Sequence, residues 1–351
     1  KMLTNVDTNP LLTPVIVKFS YENAGAQTLQ AGFSTLGHVF SAGELAAGQA
    51  MTANVNGQNV PVQVDVKTTY ADGSAKMAVL TLSRPSLAAG ASVEASLTAS
   101  SAPQAPDLDL ARSLASHSFS VALTAANGAV TQIDVLAALR DALANGTASV
   151  WQDGPLAAQA RVEISLPGSQ RLVFDVTTFA SGGMAVEAQF NNDDAMQAIG
   201  GRVAYQAAVT IDGRLATQAS LNQGQYQNWH QSFSSDGRDG GQGLGAPNNG
   251  WLNIRHDVAR LQDAGAVARY DLSLDVDPAL LNKWAAAAAA PGWNAPLAVN
   301  GLTQYMPTTG GREDIGITTA ANTAWLISQD ARAATYAMGQ AETASAIPRR
   351  A

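Results

Sequence analysis

The chain of 351 residues contains no cysteine. Disulfides, thiolate metal sites and cysteine nucleophiles are therefore excluded. Charged residues are also scarce, at 14% of the chain, and 28 acidic side chains against 20 basic ones give a net charge of −8. This balance argues against nucleic acid and anionic membrane surfaces as partners, because both attract clustered lysine and arginine.

Long apolar runs are missing as well. No stretch approaches the roughly 18 consecutive apolar residues of a membrane-spanning helix, so no membrane span is predicted. The first residue is Lys1 and no leader-like segment follows it, so we expect a processed form or a part of a longer protein. Alanine, glycine, serine, threonine, asparagine and glutamine are abundant. They predict a neutral surface rich in hydrogen-bonding groups, which suits contact with carbohydrate or with copies of the same chain.

The clearest structural signal is a period of two between residues 60 and 82. Valines alternate with polar residues over 60–67, and a second apolar run starts at Ala75. Alternation of this kind places one set of side chains on each face of a β-strand. Asp72-Gly73 lies between the two runs and suits the positive φ of a tight turn. The segment therefore predicts an antiparallel hairpin.

We predict a mainly β fold, with one or two antiparallel β-sandwich domains followed by an Ala-rich α-helical C-terminal segment. Short strands separated by turns continue through the first two thirds of the chain, and helical spacing begins at Asp257. A break in the last long helix is expected at Gly339. The predicted divisions are an N-terminal β-sandwich (1–106), a second β-rich domain with one helix (107–224), a Gly-rich loop (225–256) and a helical segment (257–351).

Aromatic residues beside the Gly-rich loop predict a carbohydrate-binding surface. Tyr226, Trp229 and His230 precede the loop, and Trp251 follows it. Aromatic faces stack on the apolar C–H faces of sugar rings, and neighbouring asparagine and glutamine side chains bind hydroxyl groups. The alternative is that these residues cap the core where the β region meets the helices, since large aromatic side chains are usually buried.

The run from Asn253 to Asp257 suggests a catalytic centre. His256 is a candidate proton shuttle, Arg255 a candidate for neutralising a substrate carboxylate, and Tyr305 or Tyr270 a candidate proton donor. Together they would suit a polysaccharide lyase, which cleaves uronic-acid chains by β-elimination. The simpler alternative is that Asp257 caps a helix and that Arg255 and His256 decorate its entry.

Metal and cofactor sites are not predicted. The four histidines share no ligand spacing, and the aspartate pairs at 193–194 and at 275 and 277 lack the alternating oxygen ligands of a calcium loop. We therefore expect no resident metal and no cofactor.

Several motifs resemble those of known families. Gly37-His38-Val39-Phe40, the strand with Gln63 and Tyr70-Ala71-Asp72-Gly73-Ser74 resemble the N-terminal β-sandwich of large toroid-type polysaccharide-active proteins. The stretch from Tyr305 to Gly316 resembles the joint at which their helical part begins. Tyr70 replaces a tryptophan that is common there, and the helices are too few to close a toroid, so no catalytic residue is carried over.

A second resemblance rests on the runs Asn253–Leu261 and Ala268–Ser273. They are similar to runs in uncharacterised surface proteins of bacteria and their phages, a group that includes virion and phage-tail proteins. The resemblance implies an extracellular or virion-surface location. It also implies cell-surface polysaccharide, copies of the chain or other virion proteins as partners. We therefore expect a non-enzymatic surface or virion structural protein in glycan recognition or assembly, and the alternative is a polysaccharide lyase or hydrolase, or a truncated portion of one.

Overall fold

The computed structural model describes residues 14–101, 105–194, 198–239, 250–302 and 318–346. Within these ranges it contains sixteen β-strands, arranged in three antiparallel sheets, and six α-helices. The mainly β fold with a helical C-terminal segment is therefore confirmed. In the part of the chain that the structure describes, no helix is both long and apolar enough to cross a membrane.

In chain order the strands are β1 (Val15–Asn23), β2 (Gly32–Val39), β3 (Ala50–Val55), β4 (Gln58–Thr69), β5 (Ala75–Arg84), β6 (Ser92–Ser100), β7 (Phe119–Ala125), β8 (Val130–Asp134), β9 (Ser149–Asp153), β10 (Ala157–Ser165), β11 (Arg171–Phe179), β12 (Met184–Asn191), β13 (Val203–Ile211), β14 (Arg214–Gln223), β15 (Asn228–Ser234) and β16 (Leu252–His256). The helices are α1 (Leu110–Ser113), α2 (Val135–Ala144), α3 (Val258–Asp263), α4 (Pro278–Ala288), α5 (Ala320–Ser328) and α6 (Ala331–Ala346).

The first β unit is a seven-stranded sheet with the order β16-β1-β6-β3-β4-β5-β2. It is nearly closed on itself, and one face wraps around a core that includes Tyr21, Phe40 and Leu97. The β4–β5 hairpin turns at Asp72-Gly73, where the sequence predicts it. Gly73 has a φ of 82°, and the backbone N–H of Ser74 donates to the Asp72 carboxylate at 2.9 Å.

The second β unit is a sandwich of two sheets. A five-stranded sheet (β15-β12-β11-β10-β9) faces a four-stranded one (β14-β13-β7-β8), and one apolar core contains residues of both. Phe119, Phe174 and Phe233 meet edge to face in this core, with ring centroids 6.0 Å apart in the first pair and 5.3 Å apart between Phe119 and Phe233. Helix α2 adds Leu136 and Leu139 to it.

The structure differs from the predicted loop over 225–256, because two parts of it are strands. Residues 228–234 form β15, an edge strand of the five-stranded sheet, and residues 252–256 form β16, which pairs with β1 of the first unit. The last strand of the first sheet is thus supplied from far along the chain. The Gly-rich residues 240–249 lie outside the described residues.

The C-terminal helices form a small core of their own around Leu281, Trp284 and Ala333. The predicted break in the last helix falls at Gln329, which has a left-handed φ of 55°, and not at Gly339. Gly339 has a packing role in the middle of α6 instead. A Cβ at this position would lie 2.4 Å from Cζ2 of Trp293, so glycine lets the indole lie against the helix.

A buried polar interface joins the two β units. The side-chain amide of Gln63 on β4 accepts hydrogen bonds from the backbone N–H groups of Leu156 and Ala157, both at 2.8 Å. It donates to the Ala157 carbonyl at 2.8 Å and to the Asp65 carboxylate at 2.7 Å. All four hydrogen-bonding positions of the amide are therefore used.

A second contact between the units lies at Asp239. Its buried carboxylate accepts a hydrogen bond from the backbone N–H of Phe33 at 2.6 Å and another from the hydroxyl of Ser181. The ring of Phe33 also stacks on that of Phe179, with centroids 6.3 Å apart. The interface thus combines a polar network with one aromatic pair.

We expect Gln63→Leu to lower the free energy of unfolding by about 2–4 kcal/mol, because it leaves two buried backbone N–H groups without an acceptor. Denaturant unfolding measures the loss. Gln58→Leu, at an exposed position of the same strand, is the control and should change stability by no more than about 0.5 kcal/mol. Equal midpoints for the two variants would contradict the role assigned to Gln63.

Candidate functional site

The structure places Trp229 in the core of the sandwich. Its side chain is only 5% exposed, and its ring centroid lies 4.7 Å from that of Phe190. Alternation along β15 turns Trp229 and Phe233 inward and His230 outward. Trp229 is thus a core residue and offers no face to a sugar.

The other predicted platform residues lie apart from each other. Tyr226 is 38% exposed and has a left-handed φ of 65° at the turn before β15. Trp251 belongs to the first β unit, where its backbone N–H donates to the side chain of Asn23 at 3.0 Å and its carbonyl accepts from Ala24. The four residues therefore do not form one surface.

His230 is held between two carboxylates on the outer face of the five-stranded sheet. Its Nε2 lies 2.8 Å from Glu187 on β12, and its Nδ1 lies 2.8 Å from Glu342 on α6. The hydrogen bonds to Glu187 and Glu342 raise the pKa of His230 to about 10, against the opposing effect of burial. The protonated imidazole therefore fastens helix α6 to the sheet.

This arrangement makes stability depend on pH. The pKa of His230 rises from 6.5 in the unfolded chain to about 10 in the folded one, so the folded state binds the proton more tightly. The stabilisation is fully present below about pH 6.5 and is lost as the pH rises through about 10.

We expect His230→Gln to lower the free energy of unfolding by about 1–3 kcal/mol at about pH 6 and by less at about pH 10. The figure is modest because Glu342 is half exposed. Glu342→Gln, which removes one of the two charges and keeps the shape, should give a smaller loss with the same pH dependence. Denaturant unfolding curves at a series of pH values measure the stability losses of both variants. Identical pH profiles for wild type and His230→Gln would contradict the interpretation.

The residues proposed for a lyase are divided between the two faces of β16. Leu252 and Ile254 pack on the core of the first unit, so alternation places His256 on the inner face and Asn253 and Arg255 on the outer one. The imidazole of His256 packs edge-on against Trp325, with centroids 6.5 Å apart. Both residues line the groove described below, but their side chains leave the strand on opposite faces.

His38 on β2 and His256 on β16 lie on the two edge strands of the seven-stranded sheet and are close enough to interact electrostatically. Burial lowers the pKa of His256, and burial together with repulsion from His256 and Arg260 lowers that of His38 on β2 to about 4. The Nδ1 of His38 has no hydrogen-bond partner within the described residues. The environment favours the neutral form of both imidazoles.

The remaining residues of the run have structural roles. Asn253 donates through its buried amide to Glu22 at 2.8 Å and to the carbonyl of Gln329 at 3.0 Å. Asp257 caps α3 by accepting from the backbone N–H of Arg260 at 3.3 Å, as the simpler alternative expects. Tyr305 lies outside the described residues. Within those residues, no group of three or more histidine, aspartate and glutamate side chains is placed to hold a metal ion.

A polar groove of about 850 Å³ lies on the outer face of the seven-stranded sheet, across β16, β1, β6 and β3. The strand register sets its side chains in rows, since Ser20 on β1 is paired with Arg255 on one side and with Glu94 on the other. In the next row Ser96 lies between Lys18 and Asn54. The end of α5 forms one wall of the groove, where the carbonyl of Ser328 accepts from Arg255 at 3.3 Å.

The sequence marked Arg255, His256 and Asp257 in this groove and missed the side chains of β1, β3 and β6. The signal was the alternation of polar residues along β1 and β6, which marks their outer faces. It becomes informative only once the strand order is known, because Lys18, Glu94 and Arg255 come from three distant parts of the chain.

Comparison with known proteins adds no assignment: no protein-family model matches the chain, and no curated protein matches it significantly.

Proposed function

We propose that the chain is a non-enzymatic protein of a cell or virion surface that recognises glycans through the groove on its seven-stranded sheet. The observation that carries the proposal is the composition of the groove. Its outward side chains include Lys18, Ser20, Asn54, Glu94 and Arg255, which together offer both donors and acceptors of hydrogen bonds. A polyhydroxylated ligand needs this mixture, because each hydroxyl group both donates and accepts.

The size of the groove and the hydrogen-bonded sheet beneath it also support glycan binding. A groove of about 850 Å³ lies within the range of small-ligand sites, roughly 300–1,000 Å³, and is large enough for a few sugar residues. It runs over a hydrogen-bonded sheet, so the strand positions from which its side chains project are fixed relative to each other. Preorganisation of this kind reduces the entropic cost of binding.

The charges of the groove favour an acidic glycan. Lys18 and Arg255 are diagonal neighbours on the outer face, since Ser20 is paired with Arg255 and Lys18 lies two residues before Ser20 on the same strand. Lys18 makes no side-chain hydrogen bond to the described residues, and Arg255 makes one, to the Ser328 carbonyl. Both cations are therefore available to a carboxylate or sulfate group.

The alternative, a polysaccharide lyase or hydrolase, has less support. Its candidate base His256 and its candidate carboxylate partner Arg255 occupy different faces of the strand. His256 lines the groove, but its side chain is directed to the inner face of the sheet, whereas β-elimination requires a base within reach of the C5 proton.

We expect the double variant Lys18→Gln/Arg255→Gln to bind acidic oligosaccharides about tenfold more weakly, because the charge-assisted contacts are lost. Glycan-array screening identifies the ligands, and isothermal titration calorimetry measures the affinities. The matched control is Arg269→Gln, which removes an exposed arginine outside the groove and should leave affinity unchanged.

Two outcomes would contradict the proposal. One is that no neutral, uronic-acid or sulfated glycan binds to the wild-type protein. The other is a steady rise in ultraviolet absorbance on incubation with uronic-acid polysaccharide, which marks the unsaturated product of a lyase. A loss of that rise in His256→Ala would assign the activity to the run from Asn253 to Asp257.

A further inference from the structure

The largest exposed aromatic side chain among the described residues is Trp151, which is 48% exposed. It lies on β9, the edge strand of the five-stranded sheet. The pairing with β10 shifts at this point: Gln152 pairs with Gln159 and Val150 pairs with Ala160, so Trp151 is an extra residue between them. Such a bulge redirects the side chain of the extra residue, and bulges are enriched at sheet edges and near functional sites.

Lys67 of the first β unit fixes the indole of Trp151. Its ammonium nitrogen lies 4.3 Å from the centroid of the ring and also donates a hydrogen bond to the backbone carbonyl of Trp151. Half of the tryptophan side chain remains exposed although this cation covers one face. The opposite face of the ring is therefore open to solvent.

The interface between the β units holds the backbone beside Trp151 in place. Gln152 donates to Thr81 at 2.9 Å and to Asp65 at 3.2 Å, and the backbone N–H of Asp153 donates to Asp65 at 3.1 Å. Both residues that follow Trp151 are thus anchored to the first unit. The exposed ring is positioned by rigid elements on both sides, as a preorganised binding surface requires.

We propose that Trp151 and Lys67 form a second sugar subsite, which takes the apolar face of a pyranose ring against the indole. The inference rests on the proposed function, because it assigns a second contact for the same class of ligand. The free face of the ring supplies dispersion contacts to the axial C–H groups of the sugar. The remaining N–H groups of the Lys67 ammonium can donate hydrogen bonds to hydroxyl or carboxylate substituents of the sugar.

A sugar fits this surface better than a protein partner does. The exposed apolar residues next to this pair in the chain are Val66 and Val150, and exposed polar residues such as Ser149 and Asp153 lie beside them. A stable protein interface buries about 800 Å² on each partner, far more than this patch offers. A single aromatic ring with a fixed cation has the dimensions of one monosaccharide.

The test measures the affinity of Trp151 variants for the oligosaccharides that wild type binds on the array. Trp151→Ala should weaken binding about tenfold or more, and Trp151→Phe, which keeps an aromatic face, should stay within about fivefold of wild type. Leu215→Ala removes an exposed apolar side chain on β14, elsewhere in the second unit, and is the control that should leave affinity unchanged. Saturation-transfer NMR on the sugar protons should show contact with an aromatic ring that disappears in Trp151→Ala. Thermal unfolding checks that the variants fold.

The failures are distinguishable. If Trp151→Ala binds as wild type does while Lys18→Gln/Arg255→Gln binds more weakly, the subsite is wrong and the proposed function stands. If wild type binds no glycan, both are wrong. If Trp151→Ala abolishes self-association in light scattering and leaves glycan affinity unchanged, the patch joins copies of the chain and the subsite is overturned.

Discussion

The buried amide of Gln63 fixes how the two β units meet, and the contact between Lys67 and Trp151 depends on that arrangement. It supplies acceptors for two backbone N–H groups at the start of β10 and a donor for a carbonyl there. Gly154 is part of the same contact, since a Cβ at that position would lie 2.4 Å from Cδ of Gln63. An apolar interface would tolerate sliding, whereas three directed hydrogen bonds across the interface specify one register. Lys67 can reach Trp151 only because of this register.

The C-terminal helices brace both β units by different means. At the first unit, the side-chain carbonyl of Gln329 accepts from the backbone N–H of His256 at 2.9 Å, and its main-chain carbonyl accepts from Asn253. At the second unit, the contact is the charged one between His230 and Glu342. Gln329 also ends α5 in a left-handed conformation, which redirects the chain into α6. The end of α5, which forms one wall of the groove, is therefore positioned by Gln329. No pattern in the sequence predicts this role.

Local features were predictable from the sequence and long-range ones were not. The hairpin at Asp72-Gly73 was found because its turn and its alternating strands are neighbours in the chain. β15 falls inside the predicted loop because its partner strand β12 is distant in the chain, and Trp229 was therefore considered for a surface as well as for the core. Trp151 was missed because a period of two predicts faces, whereas a bulge interrupts the period and appears only when the partner strand is known.

The two proposed surfaces differ in the physical basis of their contacts, and this difference bears on how a glycan would be read. The groove offers charged and polar groups such as Arg255 and Lys18, whose attraction for an anionic sugar weakens as salt screens it. The ring of Trp151 offers dispersion contacts, which salt hardly affects. Affinity for a long acidic chain would then fall with ionic strength to a plateau set by the aromatic contact. A protein with both kinds of contact would retain such a ligand across salt conditions that would release it from the groove alone.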